Sequence, residues 1–490
     1  MTTDAYIGID LGTQSVRALV VSGAGEVFGS GAAPLTSHRD GPRHEQDPYQ
    51  WWQAVATACR AALDGAPVAV RGVAVDATSG TVLLVDADGT ALSRALMYDD
   101  TRAQAETERV NEVGEPVWSE LGYRRMQPSW ALPKVLWLLD RCRDDLGSAR
   151  LAHQSDFVTR RLVGHDVATD LSNALKTGAH LIDERWPAEV MDALGVPARM
   201  LPDLVLPGSQ LGTICPEAAA VTGLPAGVPV LAGTTDGCAS QLGAGALQVG
   251  SWNSVLGTTL VLKGVTADLL HDPNGLVYSH RSPDRGWLPG GASGTGAGAV
   301  ARQLPGRDLD ALAARADGYD PAAVVAYPLA STRGERFPFL APAAEGFLIG
   351  EPSDDAHRYA ALVQGVAYVE RLCFDYLDLL GAPVTGPLLL TGGAARSRYW
   401  CQLRADVLGR PVSLPENAEP ALGMAVLAAS AGRTALEAAQ DMVRIRTTLD
   451  PRPDRTVRYQ APYVRLVEEL ENRGWLDTTV ADHARGRASL

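Results

Sequence analysis

Four stretches of this chain combine residue types that could do chemistry. The first is Asp10-Leu11-Gly12-Thr13-Gln14-Ser15-Val16-Arg17. Glycine lets a hairpin backbone approach a phosphate, and hydroxyl and N–H groups donate to its oxygens. A carboxylate at the end of the preceding strand suits the orientation of a hydrated Mg²⁺. The second is Gly233-Thr234-Thr235-Asp236-Gly237-Cys238-Ala239. Asp236 stands where an apolar strand ends and a helix of small residues begins. The helix dipole favours the ionised carboxylate, and an ionised, positioned carboxylate is what a general base needs.

The third stretch, residues 290–298, holds Gly294 among four other glycines ahead of an alanine-rich segment. It suits a loop that cradles a nucleotide at a helix N-terminus. No acidic residue follows on a new strand ~20 residues on, as a dinucleotide fingerprint requires. The fourth is Leu388-Leu389-Leu390-Thr391-Gly392-Gly393-Ala394-Ala395-Arg396-Ser397. An apolar strand running into two glycines leaves no side chain over a flat ring, which suits adenosine and its α-phosphate. Each stretch has a plainer reading as a hairpin turn, an N-cap, a flexible linker or a tight turn. Their order along the chain carries more information than any one of them.

These residues need elements to hold them. Residues 6–10, 18–21 and 27–30 read as strands of an opening hairpin. Residues 48–63 have helical spacing, with Asp47 as N-cap and Pro48 at the first position. Strands are expected at 68–75, 82–86 and 228–233, and helices at 131–140 and 237–245. Residues 252–262 read as a second hairpin. The grammar then repeats, with a strand at 387–391 and helices at 397–408 and 421–431. From Arg433 on, the chain reads as helical, charged and peripheral. Ile9-Asp10-Leu11-Gly12-Thr13 is weakly echoed by Val255-Leu256-Gly257-Thr258, as if an α/β unit were duplicated.

Composition narrows the function class. The 490 residues carry a net charge of -14, which argues against nucleic-acid and anionic membrane surfaces as partners. No apolar run reaches the ~18 residues of a membrane span. Of the 43 basic residues only Lys134, Lys176 and Lys263 are lysines, and none follows a Walker-type glycine loop. Six scattered cysteines are no disulfide framework, and nine histidines form no zinc-ligand spacing. The expected compartment is the cytoplasm, and the expected state a monomer or homodimer.

Taken together, these motifs make the chain resemble the FGGY carbohydrate kinases, within the hexokinase–actin–Hsp70 ATPase superfold. His44-Glu45-Gln46-Asp47-Pro48 with Trp51-Trp52 is similar to that family's E-Q-D-P…W-W stretch. The resemblance implies an α/β fold of two ribonuclease-H-like domains, 1–247 and 248–490, with a cleft between them. It implies ATP and Mg²⁺ as cofactors and a small-molecule sugar as acceptor. Asp236 falls on the catalytic aspartate. Asp10, Ser79, Asp236 and Asn173 are expected to contact the sugar, and Asp10 to orient Mg²⁺ through water. Residues Gly12, Thr13, Gln14, Ser15, Val16 and Arg17 and the turn Gly257-Thr258 are expected to grip phosphates. Gly294 and Gly392, Gly393, Ala394, Ala395, Arg396 and Ser397 are expected to meet the nucleotide.

The sugar is narrowed by the same route. Asp76-Ala77-Thr78-Ser79-Gly80-Thr81 is similar to ribulokinases where xylulokinases carry Gln-Met-His-Gly, which points Thr78 and Ser79 at a sugar hydroxyl. Ser172-Asn173-Ala174-Leu175-Lys176, Val277-Tyr278-Ser279-His280 and Ser331-Thr332-Arg333-Gly334-Glu335-Arg336-Phe337-Pro338 resemble a small D-ribulose kinase group. Tyr98-Asp99-Asp100-Thr101-Arg102 is closer to the W-N-D-x-R of xylulokinases. The expected reaction is phosphorylation of D-ribulose to D-ribulose 5-phosphate. The alternatives are a D-xylulose or pentitol kinase, or an ATP-driven switch protein of the same superfold.

Overall fold

The computed structural model describes residues 2–142 and 147–489. The fold is mixed α/β and divides into two units. Unit 1 comprises Met1–Leu247, Ser279–Leu288 and Asn417–Arg444, and unit 2 comprises Gln248–Tyr278, Pro289–Glu416 and Ile445–Leu490. The chain leaves unit 1 after Leu247, and two later segments return to it, which a single cut at 247 does not anticipate.

The sheet of unit 1 contains β1 (Thr3–Leu11), β2 (Ser15–Ser22), β3 (Val27–Pro34), β4 (Val68–Ala77), β5 (Gln210–Thr213) and β6 (Pro229–Leu231). Their order is β3-β2-β1-β4-β6-β5. Strands β1, β4 and β6 run parallel, and the other neighbours are antiparallel. Side chains alternate between the faces of a strand. Ile7, Ile9, Leu11, Val73 and Val75 therefore pack on one face with Trp51, Val55 and Cys59 of the Pro48–Leu63 helix. That helix starts as the sequence indicates, with the Asp47 carboxylate accepting the Tyr49 N–H at 3.0 Å.

Leu19, Val21, Ala74 and Leu231 face the other way, onto helices Asp236–Ala244 and Pro420–Ala428. Here backbones touch. A Cβ on Gly8 would lie 1.7 Å from the Ala421 carbonyl oxygen, and one on Gly423 would lie 1.9 Å from that of Ala239. The Pro420–Ala428 helix is thereby wedged against both β1 and the helix that begins at Asp236.

Unit 2 repeats the arrangement. Six strands of the seven-stranded sheet are β7 (Trp252–Leu256), β8 (Leu260–Gly264), β9 (Trp287–Ser293), β10 (Leu388–Thr391), β11 (Val412–Pro415) and β12 (Ile445–Leu449). They run in the order β9-β8-β7-β10-β11-β12. Again three antiparallel strands lead to two further strands parallel to the first and one antiparallel edge. The faint echo between residues 9–13 and 255–258 marks equivalent hairpins of a duplicated unit.

The C-terminal part departs from the expectation. Residues 445–449 are the edge strand β12 and not helix. Helices Pro453–Asn472 and Thr478–Ala488 are not peripheral, because Tyr459, Tyr463, Leu466, Val467, Leu470, Val480 and Ala484 lie in the core of unit 2. Their 3.6-residue stripe is diluted by the charged residues between. The strand expected over 228–233 pairs only at Pro229–Leu231.

Gly423→Ala should cost about 3 kcal/mol of stability, because the obstacle is helix backbone and not a movable side chain. Gly486→Ala, in a helix with open space at the Cβ position, should stabilise slightly. Urea midpoints of the two variants check the contrast.

Candidate functional site

The parallel strands of unit 1 bring three carboxylates to one end of the sheet. Asp10 lies beside Asp76 in the β1–β4 register, and Ala77 bridges to Thr235, the residue before Asp236. The carboxyl ends of parallel strands are where open α/β sheets bind ligands. Asp76 is completely buried, and neither of its carboxylate oxygens receives a hydrogen bond from an N–H or hydroxyl. Burial, then the charges of Asp10 and Asp236, pushes Asp76 well above the usual carboxylate range. Burial and the Asp236 charge push Asp10 up to about 6. Asp236 is the first residue of its helix, behind Thr235 as N-cap, and its Oδ1 accepts the Gly237 N–H at 2.8 Å. The sequence does not expose Asp76 as a member of this group, since only the strand register puts it next to Asp10.

The first glycine turn joins β1 to β2 and is closed by Gly12 N–H to Ser15 O at 3.2 Å. It is pinned from outside. Gln46 donates from Nε2 to the Thr13 carbonyl at 2.7 Å and accepts the Trp51 indole N–H at 2.6 Å. The Glu45-Gln46-Asp47-Pro48…Trp51 stretch therefore starts a helix and holds the turn at once. Thr13 and Ser15 are half-buried, and Gln14 and Arg17 exposed. Val16 is different: its side chain is fully buried in the core, and its backbone pairs with Leu11. A side-chain contact from Val16 to phosphate is excluded.

The turn after β4 carries Ser79, whose hydroxyl is buried and without a hydrogen-bond partner. Thr78 is not its equal. Its hydroxyl bonds Gln154 Oε1 at 2.7 Å and Thr81 at 2.6 Å, so its O–H is engaged within the fold. Asn173 is also engaged, with Nδ2 donating to Asp170 at 2.7 Å and its N–H to the same carboxylate at 2.9 Å. Its amide works inside unit 1. In the Tyr98–Arg102 stretch Asp100 is buried and Tyr98 exposed, and two residues bond inward. Asp100 accepts the His44 N–H at 2.8 Å, and Arg102 bonds Asp100 at 2.6 Å and Glu45 at 2.7 Å.

Unit 2 holds the remaining residues. Gly257 and Thr258 form the tip of the β7–β8 hairpin, steadied by Ala297 N–H to Gly257 O at 3.0 Å and Gly298 N–H to Thr258 O at 3.1 Å. Gly392 follows β10 at φ +84°, with its Cβ position 2.6 Å from the Leu256 carbonyl, so no other residue fits. Gly392, Gly393 and Arg396 are exposed, Ala395 is half-buried and Ala394 buried. Ser397 caps the Arg398–Leu408 helix, its hydroxyl accepting the Trp400 N–H at 3.3 Å.

The glycine-rich stretch is no flexible linker. Gly290 and Gly291 lie inside β9, and a Cβ on Gly291 would meet the Phe337 ring at 2.7 Å. Gly294 is buried, its N–H donated to Glu335 and its carbonyl accepting the Ala330 and Ser331 N–H groups. Its backbone is spent on packing. Glu335, itself buried, also accepts Ser293 Oγ and the Tyr327 hydroxyl, each at 2.9 Å. It organises this loop, a role its sequence context does not reveal.

Residues 5–243 match the N-terminal domain, and residues 252–432 the C-terminal domain, of the FGGY family of carbohydrate kinases. The chain belongs to that family. It is 31% identical to the xylulose kinase of Escherichia coli over 442 residues, 86% of this chain and 89% of that one. It is 32% identical to the xylulose kinase of Streptomyces coelicolor over 484 residues, 95% and 96% of the two chains. Among solved structures it superposes on the protein named xyloylose kinase from Brucella ovis with a TM-score of 0.88 at 25% identity, covering 96% of this chain and 99% of that one. As an FGGY kinase it is an ATP-dependent sugar phosphotransferase. No helix among the described residues is long and apolar enough to cross a membrane. No three described His, Cys, Asp or Glu side chains group to ligate a metal directly.

The crowding of carboxylates has a measurable cost in this FGGY kinase. Asp10 titrates near 6 in the fold, against an ordinary value of 3.8 for an aspartate in an open chain. Between those values the unfolded chain has released a proton that the fold retains, so stability falls as pH rises and the penalty is complete above about 6. Asp10→Asn should raise stability by about 1–3 kcal/mol at pH 7.5. Its advantage should shrink as pH drops from about 6 to about 4. Ligand-free urea titrations at stepped pH check both statements.

Proposed function

We propose that this kinase phosphorylates a ketopentose at its terminal hydroxyl, preferring D-ribulose to D-xylulose. The observation that carries the reading is Ser79, a buried hydroxyl with no protein partner, on the turn that follows Asp76. A small hydroxyl side chain both donates and accepts, and leaves room for the sugar's own hydroxyl. Xylulokinases resemble one another in Met-His-Gly at this stretch. The two pentuloses differ only at the third carbon, so a polar contact near that hydroxyl has to separate them. The Ser172–Lys176, Val277–His280 and Gly334–Pro338 resemblances support D-ribulose too.

A second reading, D-xylulose, is favoured by the names of several curated relatives and by the Tyr98–Arg102 stretch. In this chain Asp100 and Arg102 bond each other and the strand at His44–Glu45, so that pattern is satisfied as loop architecture.

In the proposed mechanism a carboxylate oxygen of Asp236 takes the proton of the attacking sugar hydroxyl. The Gly237 N–H fixes that carboxylate's orientation. The transition state of phosphoryl transfer is loose, so positioning and charge stabilisation supply most of the rate. Backbone N–H groups and hydroxyls of the 12–15 turn, with the Gly257-Thr258 tip, hold the phosphates. Gly392 and Gly393 admit the adenosine. The paired carboxyl groups of Asp10 and Asp76 would hold a hydrated Mg²⁺, which would neutralise phosphate charge when bound. The proposed compartment is the cytoplasm, where the six free cysteines stay reduced.

An ADP-release assay over D-ribulose, D-xylulose, pentitols and D-gluconate tests the reading. D-ribulose should lead in kcat/KM by ~10–100-fold, the range of one or two buried hydrogen bonds. Ser79→Ala should raise KM for the sugar more than for ATP. A higher kcat/KM on D-xylulose overturns the sugar assignment, and ATP turnover indifferent to every sugar overturns the kinase reading of the site.

A further inference from the structure

This chain uses arginine for forty of its 43 basic residues, with lysine only at positions 134, 176 and 263. Two of the three lysines meet at one turn of unit 1. Lys134, on the Ala131–Arg141 helix, is completely buried. Its ammonium donates to the Gly80 carbonyl at 2.6 Å and to the Met97 carbonyl at 2.8 Å. Lys176 donates to the preceding carbonyl, that of Ser79, at 3.3 Å. Its stem packs against Gly80, whose φ of +93° and Cβ position 3.2 Å from Lys176 Cδ leave no room for a side chain.

The choice of lysine has a physical reason. An ammonium is compact and tetrahedral and fits between carbonyl oxygens, whereas a guanidinium is a planar fork matched to a carboxylate. Where this chain buries an arginine completely, at Arg404, the partner is the carboxylate of Glu370 at 2.7 Å. At the Ser79-Gly80 turn the completely buried ammonium of Lys134 is received by backbone carbonyls instead. Burying an ammonium without a bonded carboxylate is costly, and burial pushes Lys134 down to about 7.

We propose that Lys134 and Lys176 form a clamp on successive carbonyls of the Ser79-Gly80 turn, and that Lys134 is thereby a positioning residue that fixes the Ser79 hydroxyl for the sugar. The proposal rests on the reading of Ser79 as a sugar contact. Lys134 ties this turn to the Met97 segment, so the hydroxyl's place is set by two elements and not by the turn alone.

The test is a set of steady-state and binding measurements on Lys134→Met, Lys134→Arg, Lys176→Met and Ser79→Ala. Lys134→Met should raise the sugar KM about tenfold with the ATP KM changed by less than about twofold, the pattern of lost orientation at one substrate. Lys134→Arg should not rescue it. In a Ser79→Ala background, Lys134→Met should add less than about a twofold further rise, because the clamp acts through that hydroxyl. A role in stability alone would lower the melting temperature and leave the sugar KM unchanged, which overturns the clamp. Should Lys134→Met fail to fold, Lys176→Met decides, with a sugar KM raised about threefold in support and an unchanged one against. A raised KM in Ser79→Ala with none in the lysine variants overturns the clamp and keeps the sugar contact. No change in any of them overturns both.

Discussion

Everything at the site follows from crowding three carboxylates at the ends of three adjacent parallel strands. Burial, and then the charges of their neighbours, Asp236 among them, raise the proton affinity of Asp10 and Asp76. The fold could relieve this strain with an arginine fork, which the chain has in abundance. It places Arg17 across from Asp10 in the β1–β2 register, exposed, where its charge offsets only part of the rise.

The strain is tolerable because the surrounding backbone is rigid. Gly8 and Gly423 let the Pro420–Ala428 helix touch both β1 and the helix that begins at Asp236. Gln46 ties the Gly12–Ser15 turn to the Pro48–Leu63 helix through Trp51. These contacts are made with backbone and with fixed amides, so small errors in carboxylate placement have no soft side chain to absorb them. Unit 2 applies the same economy, with Glu335 gathering the Ser293–Thr295 loop and Gly392 lying against the end of β7.

Much of this was legible in the sequence, because the informative residues obey local rules. Asp47-Pro48 announces a helix start, Gly12 and Gly257 announce hairpin tips, and Asp236 heads its helix as its neighbours imply. The resemblance to FGGY kinases rests on the same residues and agrees with the family. What the sequence hid is non-local. The pairing of Asp10 with Asp76 needs a strand register across sixty-six positions. Thr78, Asn173 and Gly294 look like ligand contacts by type, and each also bonds within the fold, to Gln154, Asp170 and Glu335. Val16 sits in a phosphate-turn motif but alternation turns it into the core. The C-terminal helices read as peripheral in the sequence because charged residues between the buried positions mask their apolar stripe.

The central claim is that Asp236 accepts the proton of the attacking sugar hydroxyl. A single-turnover rapid-quench experiment with Asp236→Asn, saturating ATP and the pentulose best used by the unmodified enzyme isolates that step. The account predicts a phosphoryl-transfer rate reduced by ~10²–10⁴, with both substrates still bound at nearly unchanged affinity. An undiminished transfer rate in the variant would contradict it.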